Sequence, residues 1–493
     1  LLVLVVATLT SSCASCSKHE GESATSERST TTEPGTDGAS KDSEDRDRAA
    51  RSSTPTGDGR ELEHFFQSLK RIEDDEPFAA AKILRLGDSH TASDTATGRM
   101  RTLLQDRFGD GGRGLAHPGM PWEYFRQEQM VYGMDGAWDV YRVLYEESPG
   151  PWSVGGVRLV SSDPGAILTR RTCDECRAGK SFDQFTVHYL KQPGGGSFDI
   201  ELDGEKIASI DTGSAYEEFA SYATKVEEAP HTLRIRVNEK KPVAIFAMST
   251  RREAGGIVHN ALGINGAQAK HYLRSDPGFT QQAVRDVDPD LIMVALGPNE
   301  AFDSDYQVED PDAEIIGLLE KLERYRDQYR RLIRRLKAGA PDASCVVLLP
   351  PDLKERRGEL PCYEWQFGPG PIDTPLCITP PPYNYGGIIN AQRHAAALEG
   401  CVTYDQQRAM GGEGSFAIWQ QLGLAQWDGI HFTDAGYDLL ADNLYSDLMS
   451  AYERWLQGKD PEFSASIIFP SLTTTAQADE STSDSATRFP EQR

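Results

Sequence analysis

No apolar run in this chain of 493 residues approaches the roughly 20 residues of a membrane-spanning helix, which excludes a multi-pass membrane protein. Positive charge is short as well, with 51 Lys and Arg against 76 Asp and Glu and a formal net charge of −25. A phosphate-backbone binder needs clustered Lys and Arg, so nucleic acid is not an expected partner. Between Cys16 and Leu62 there is no Val, Ile, Leu, Met or aromatic residue. Such a stretch cannot bury enough surface to offset chain entropy, and residues 17–60 read as a disordered linker. A similar polar tail is expected over 461–493. The linker carries seven basic and ten acidic side chains, so most of the negative charge belongs to the folded body.

What is present points to a large folded body. Hydrophobic residues make up 38% and charged residues 26%, enough for a sizeable core, and the length suggests two or three domains. Residues 1–16 begin with the apolar stretch Leu1 to Leu9, which reads as the h-region of a secretory signal. Leu9-Thr10-Ser11-Ser12-Cys13 resembles a bacterial lipobox, with Thr10 where an aliphatic residue is usual. Cys13 is thus the expected lipidation site. The expected location is the bacterial cell envelope, facing the periplasm or the cell surface, with membrane contact through the lipid anchor only.

Cysteine usage agrees with export. Six Cys lie beyond the leader: Cys173, Cys176, Cys345, Cys362, Cys377 and Cys401. An even count in an exported chain suggests disulfides. Cys173-Asp174-Glu175-Cys176 has the spacing of a redox pair or half a zinc site. No second CxxC or His-rich partner accompanies it, so a small loop disulfide is expected. Cys345 and Cys401 open successive expected strands, and a bridge between them is reasonable if those strands are parallel neighbours. Cys362 and Cys377 would then close a Pro-rich loop.

Short apolar runs at Lys82 to Leu86, Ile257 to Leu262, Leu291 to Leu296, Val346 to Leu349 and Val402 to Tyr404 read as buried strands. The first leads to a helix expected from about Ser93 to Phe108. Apolar residues at Leu318, Leu319, Leu322, Tyr325, Tyr329, Leu332, Ile333 and Leu336 step by three and four, as an amphipathic helix requires. A further helix is expected from about Ile388 to Leu398. Strands alternating with helices imply an α/β fold with a parallel sheet covered on both faces. Ligands in such folds bind at the carboxyl ends of the strands. Residues 135–252 differ, with period-two runs such as Phe185 to Tyr189 and Leu233 to Val237 between turn clusters. They read as an inserted β-sandwich, most simply a jelly-roll.

In Gly87-Asp88-Ser89-His90 a serine sits in a tight strand-to-helix turn, where its hydroxyl is exposed beside free helix N–H groups. A nucleophilic serine needs a base, and the base needs an orienting carboxylate. Asp428-Gly429-Ile430-His431 supplies both, just before a helix expected from about Asp434. Together with Gly263-Ile264-Asn265-Gly266 and Gly297-Pro298-Asn299, these segments resemble the four sequence blocks of SGNH (GDSL-type) hydrolases, in the family's order. The resemblance covers about residues 80–135 and 255–455.

It implies a flavodoxin-like parallel sheet flanked by helices, with Ser89 as nucleophile, His431 as base and Asp428 as its partner. It also implies an oxyanion hole from the Ser89 and Gly266 N–H groups and the Asn299 side chain, with no cofactor or metal. Glu300 stands where many members carry Asp, and no change in reaction is expected from it. The implied organisation is an SGNH domain in two parts, 61–134 and 253–460, around the sandwich.

With its sandwich, the chain is most similar to bacterial peptidoglycan O-acetylesterases, in which the inserted module is carbohydrate-binding-like. The expected function is removal of O-acetyl groups from a cell-envelope glycan through an acetyl-serine intermediate, with an acetylated glycan as the substrate partner. Trp122, Trp138 and Trp152 are candidate sugar platforms. An O-acetyltransferase would use the same triad. A non-catalytic glycan-binding lipoprotein would be expected to have lost a triad or oxyanion residue, and all are present. A lipase or thioesterase is disfavoured because no long apolar lid segment stands out. Nothing in the sequence marks an oligomeric state.

Overall fold

The computed structural model describes residues 60–306, 311–354 and 381–468. The signal segment with Cys13, nearly all of the linker, and Cys362 and Cys377 lie outside the described residues.

The five apolar runs form one parallel sheet of strands Ala80–Gly87, Gly256–Gly263, Leu291–Ala295, Ser344–Leu349 and Val402–Asp405. Taken in chain order, they lie second, first, third, fourth, fifth across the sheet, which is the flavodoxin-like order. Side chains alternate between two cores, as strand geometry dictates. Leu84, Leu86, Ile292, Val294, Val347 and Leu349 share one core with residues of helices Pro277–Val287, Pro311–Lys337 and Tyr385–Leu398. Ile83, Leu291, Met293, Val346 and Leu348 share the other with residues of Glu63–Glu73, Thr95–Phe108 and Asp434–Leu456. A sheet covered on both faces needs strands that are apolar at successive positions, and these runs supply them. Disulfides join Cys345 to Cys401 at the starts of neighbouring parallel strands, and Cys173 to Cys176 within a small loop.

The helix expected from about Ser93 to Phe108 is two pieces, Ser89–Ala92 and Thr95–Phe108. Asp94 separates them in the left-handed region, with φ 53°. Its carboxylate is turned inward onto two arginines, Arg101 and Arg113, both buried.

Two antiparallel sheets follow. One runs Glu218–Ala229, Phe182–Lys191, Val243–Arg251, Val157–Ser161, Asp139–Arg142 across its width. The other runs Val131–Asp135, Ile167–Arg171, Thr232–Val237, Ser197–Leu202, Glu205–Asp211. They share one core, to which the first sheet contributes Phe185, Val187 and Ile245 and the second Leu168, Ile200 and Ile235. The expected boundary at 134/135 needs correction. Val131–Asp135 already pairs with Ile167–Arg171, and the short strand Gly114–Ala116 pairs with Val243–Arg251. Both early strands lack alternation: one spans three residues and the other carries Gly133 at its centre.

The tail expected from 461 is corrected at its start. Phe463 stacks on Tyr404 with ring centres 5.3 Å apart, the Ser466 N–H donates to Asp447 Oδ2 at 2.9 Å, and the Ile468 N–H donates to the Ala409 carbonyl at 2.7 Å. Burial of Ala465 and Ile468 adds the apolar gain that ordering these residues requires.

Candidate active site

The first strand, Ala80–Gly87, ends at the sheet's carboxyl edge and turns at once into the short helix that Ser89 opens. Asp88 caps that helix, its Oδ1 accepting the His90 N–H at 3.0 Å. The Tyr272 hydroxyl ties down the strand end by donating to the Gly87 carbonyl at 2.7 Å. Ser89 is half-buried, so its hydroxyl stays accessible.

His431 approaches from the other end of the chain. Thr433 caps Asp434–Leu456 by accepting the Gly436 N–H, which fixes the backbone two residues after the histidine. The loop before it is held by the Lys354 N–H donating to the Gly429 carbonyl at 2.9 Å. His431 Nε2 lies 2.8 Å from Ser89 Oγ, and His431 Nδ1 lies 2.5 Å from Asp428 Oδ2. Asp428 Oδ1 accepts the N–H groups of Ile430 at 2.9 Å and His431 at 2.8 Å. Partial burial pushes the Asp428 carboxyl up, but the His431 backbone and ring and the Ile430 N–H outweigh it. The carboxyl ends below its ordinary value and stays ionised. A carboxylate fixed on Nδ1 leaves Nε2 facing the hydroxyl, the arrangement that can take a proton from an attacking serine.

Donors for a developing negative charge gather beside this line. Asn299 Nδ2 reaches the Ala267 carbonyl at 3.1 Å and Asp88 Oδ2 at 3.4 Å, which puts the amide between the Ser89 turn and the Gly266 turn. Gly266 has φ +83°, a conformation that costs other residues strain. Among the described residues, the N–H groups of Ser89 and Gly266 donate to no acceptor. Gly263 serves a different need. A Cβ there would come within 2.3 Å of the Ala92 nitrogen, so its small size lets the second strand pack against the serine's helix.

The surroundings hold buried groups whose importance the motifs do not announce. Burial pushes Asp88 up to about 7 despite the His90 N–H and the nearby Arg85. Burial also pushes Glu300 up to about 8, while its Oε1 accepts the Ala269 N–H at 2.9 Å and steadies the turn after Gly266. Carboxyls leaning toward the neutral form oppose a nearby oxyanion less than ionised ones would. His90, held down to about 3 by burial and the neighbouring His431, stays neutral under the triad. Of the aromatic candidates, Trp152 is buried at 4% exposure and has no face to offer a sugar, whereas Trp122 and Trp138 are half-buried. Among the described residues no group of three or more His, Cys, Asp or Glu is placed to hold a metal ion.

Residues 238–439 match the GDSL-like lipase/acylhydrolase family. Ser89 falls before the matched range, separated from it by most strands of the two antiparallel sheets, and the fold returns it to His431. A solved peptidoglycan O-acetylesterase superposes with a TM-score of 0.62 at 20% identity, covering 79% of this chain and 96% of its own. A Bacillus subtilis protein gives a TM-score of 0.29 at 13% identity over 66% of this chain and 90% of its own. A family two carbohydrate esterase from Cellvibrio japonicus gives 0.25 at 11% identity over 66% and 99%. No curated protein sequence matches significantly. The family match spans the second to fifth strands and the Asp428–His431 segment, so the chain carries a GDSL-like lipase/acylhydrolase domain on an SGNH fold and is an ester hydrolase.

Proposed function

We propose that the chain is a serine esterase that removes O-acetyl groups from a cell-envelope glycan, with peptidoglycan the first candidate. The observation that carries this reading is the continuous hydrogen-bonded line Ser89–His431–Asp428. The shared fold with a peptidoglycan O-acetylesterase supports trying that substrate class first. Ser89 Oγ attacks the acetyl carbonyl as His431 Nε2 takes its proton. The C–O bond to the sugar breaks, and His431 returns that proton to the sugar oxygen. Water then attacks acetyl-Ser89, His431 again takes the proton and passes it to Ser89 Oγ, and acetate leaves. Asp428 keeps the imidazole in the required tautomer and stabilises its charged form. The N–H groups of Ser89 and Gly266 and the Asn299 amide receive the charge on the carbonyl oxygen. Export and tethering through Cys13 would place this chemistry at the envelope.

The test incubates the chain and its Ser89→Ala variant with O-acetylated peptidoglycan and with an acetylated plant polysaccharide, and quantifies free acetate. Release from peptidoglycan by the parent alone is expected. No release from either polymer overturns the reading, and an acetyl-transfer assay with a sugar acceptor then decides for the transferase.

The oxyanion assignment carries its own expectation. Asn299→Ala is expected to lower kcat about 10²–10³-fold, or about 2.7–4 kcal/mol, because the donor acts on charge that exists only in the transition state. Steady-state kinetics on a small acetate ester checks this. A loss below about tenfold would remove Asn299 from the hole.

A further inference from the structure

We propose that Arg142, stacked with Tyr145 and Trp122, forms a substrate subsite beside the oxyanion donors that holds a carboxylate of an acidic glycan. This deepens the esterase reading and rests on it. Arg142 ends the strand Asp139–Arg142 at the edge of the first antiparallel sheet, two residues before Leu144. Val143 enters the core of the α/β body, and Leu144 lies over the Gly266 turn, its Cδ2 3.2 Å from where a Cβ on Gly266 would sit. Arg274 clamps this passage by donating to the carbonyls of Val143 at 2.6 Å, Tyr145 at 2.8 Å and Glu146 at 3.2 Å. Trp122 approaches the start of the Gly266 turn only through His117. It packs at 5.8 Å against His117, whose Nε2 lies 3.1 Å from the Gly263 carbonyl.

The guanidinium sits 4.8 Å from the Tyr145 ring centre and 6.0 Å from that of Trp122. One N–H donates to the Tyr145 hydroxyl at 2.6 Å. In a chain with 76 acidic residues, no carboxylate lies within salt-bridge distance of Arg142 among the described residues, Glu146 and Glu147 included. Arg142 is half-buried, its guanidinium is a planar fork that matches a carboxylate, and Tyr145 beside it is 46% exposed. Aromatic stacking holds the fork in place before any ligand arrives, so little ordering remains to be done on binding. Peptidoglycan carries carboxylates on its stem peptides close to the acetylated sugar, and a glycan strand of that kind fits both halves of the subsite.

The experiment uses one batch of O-acetylated peptidoglycan divided in two, one half with its carboxyls amidated by carbodiimide coupling to ammonia. The wild-type chain is expected to show KM about tenfold or more lower on the untreated half, with similar kcat, and that preference should weaken as salt rises. Arg142→Met, which keeps the length of the apolar stem, is expected to abolish the preference and leave hydrolysis of a small neutral acetate ester unchanged. Arg142→Lys should restore only part of it, since a point charge lacks the planar fork. Equal KM for the two halves in the wild type overturns the subsite, as does an equal loss by Arg142→Met on the neutral ester. The neutral ester keeps the two readings apart, because its Ser89-dependent hydrolysis tests the esterase without involving the subsite.

Discussion

Ser89→Ala is expected to lower kcat/KM on an acetate ester by on the order of 10⁴–10⁶, with His431→Ala falling in the same range. The size follows from what each group does. Without the hydroxyl no acetyl-enzyme forms, and without the imidazole the hydroxyl keeps its proton through the attack. Because Ser89 and His431 are joined by a single hydrogen bond of 2.8 Å and act as one unit, the double variant should be no worse than either single one. Asp428→Asn should cost about 10⁴, since an amide on Nδ1 permits the wrong imidazole tautomer while the geometry is kept. Single-turnover measurement of acetate release, with folding of each variant checked by circular dichroism, reads these losses. A His431→Ala variant within tenfold of the parent would end the triad assignment.

The sequence was most readable where physics repeats. Most strands of the parallel sheet are buried on both faces, so they stand out as short runs such as Leu291-Ile292-Met293-Val294. The triad was readable because two of its members are only three residues apart and the third sits in a recognisable turn. What escaped was set by contacts between distant segments. Val131–Asp135 carries no alternation, since its residues are exposed or half-buried, and only its pairing partner marks it as a strand. Residues 461–468 follow a polar stretch, and their order comes from the groove that Tyr404 and Asp447 offer them. Arg142 carries no motif, and the approach of its neighbour Leu144 to Gly266 depends on where an edge strand leaves its sheet. Helix Thr95–Phe108 hid its burial in another way, because its inward face includes Arg101.

That arginine leads to the largest stability effect expected of a single polar group. Asp94 Oδ1 accepts the Thr97 hydroxyl at 2.5 Å and Arg101 Nη2 at 2.8 Å, and Oδ2 accepts Arg113 Nη2 at 2.8 Å and the Glu128 N–H at 2.7 Å. Arg101 is 0% exposed and Arg113 2%. Arg101 also donates to the His259 carbonyl, and Arg113 to the Glu128 carbonyl. One carboxylate therefore binds the helix behind the catalytic serine to the second parallel strand and to the approach to the antiparallel sheets. Burial pushes the Asp94 carboxyl up, but the two guanidinium charges and the hydrogen bonds hold it well below the ordinary carboxylate value. Asp94→Asn keeps the volume and removes the charge, leaving Arg101 and Arg113 buried without the carboxylate they share. The expected loss is about 3–5 kcal/mol of unfolding free energy, read by urea denaturation at neutral pH. A loss below about 1 kcal/mol, the worth of an exposed pair, would mean that the arginines are solvated or otherwise neutralised. The pH dependence supplies the sign. A carboxyl whose folded pKa is depressed stabilises above its unfolded value of about 3.9 and loses that contribution as pH falls toward the folded one. The parent should therefore lose stability more steeply than Asp94→Asn on acidification, and the gap between them should narrow below about pH 3.9. Because the same carboxylate steadies the helix that follows Ser89, what the variant loses in stability it should also lose in the thermal range over which the esterase works.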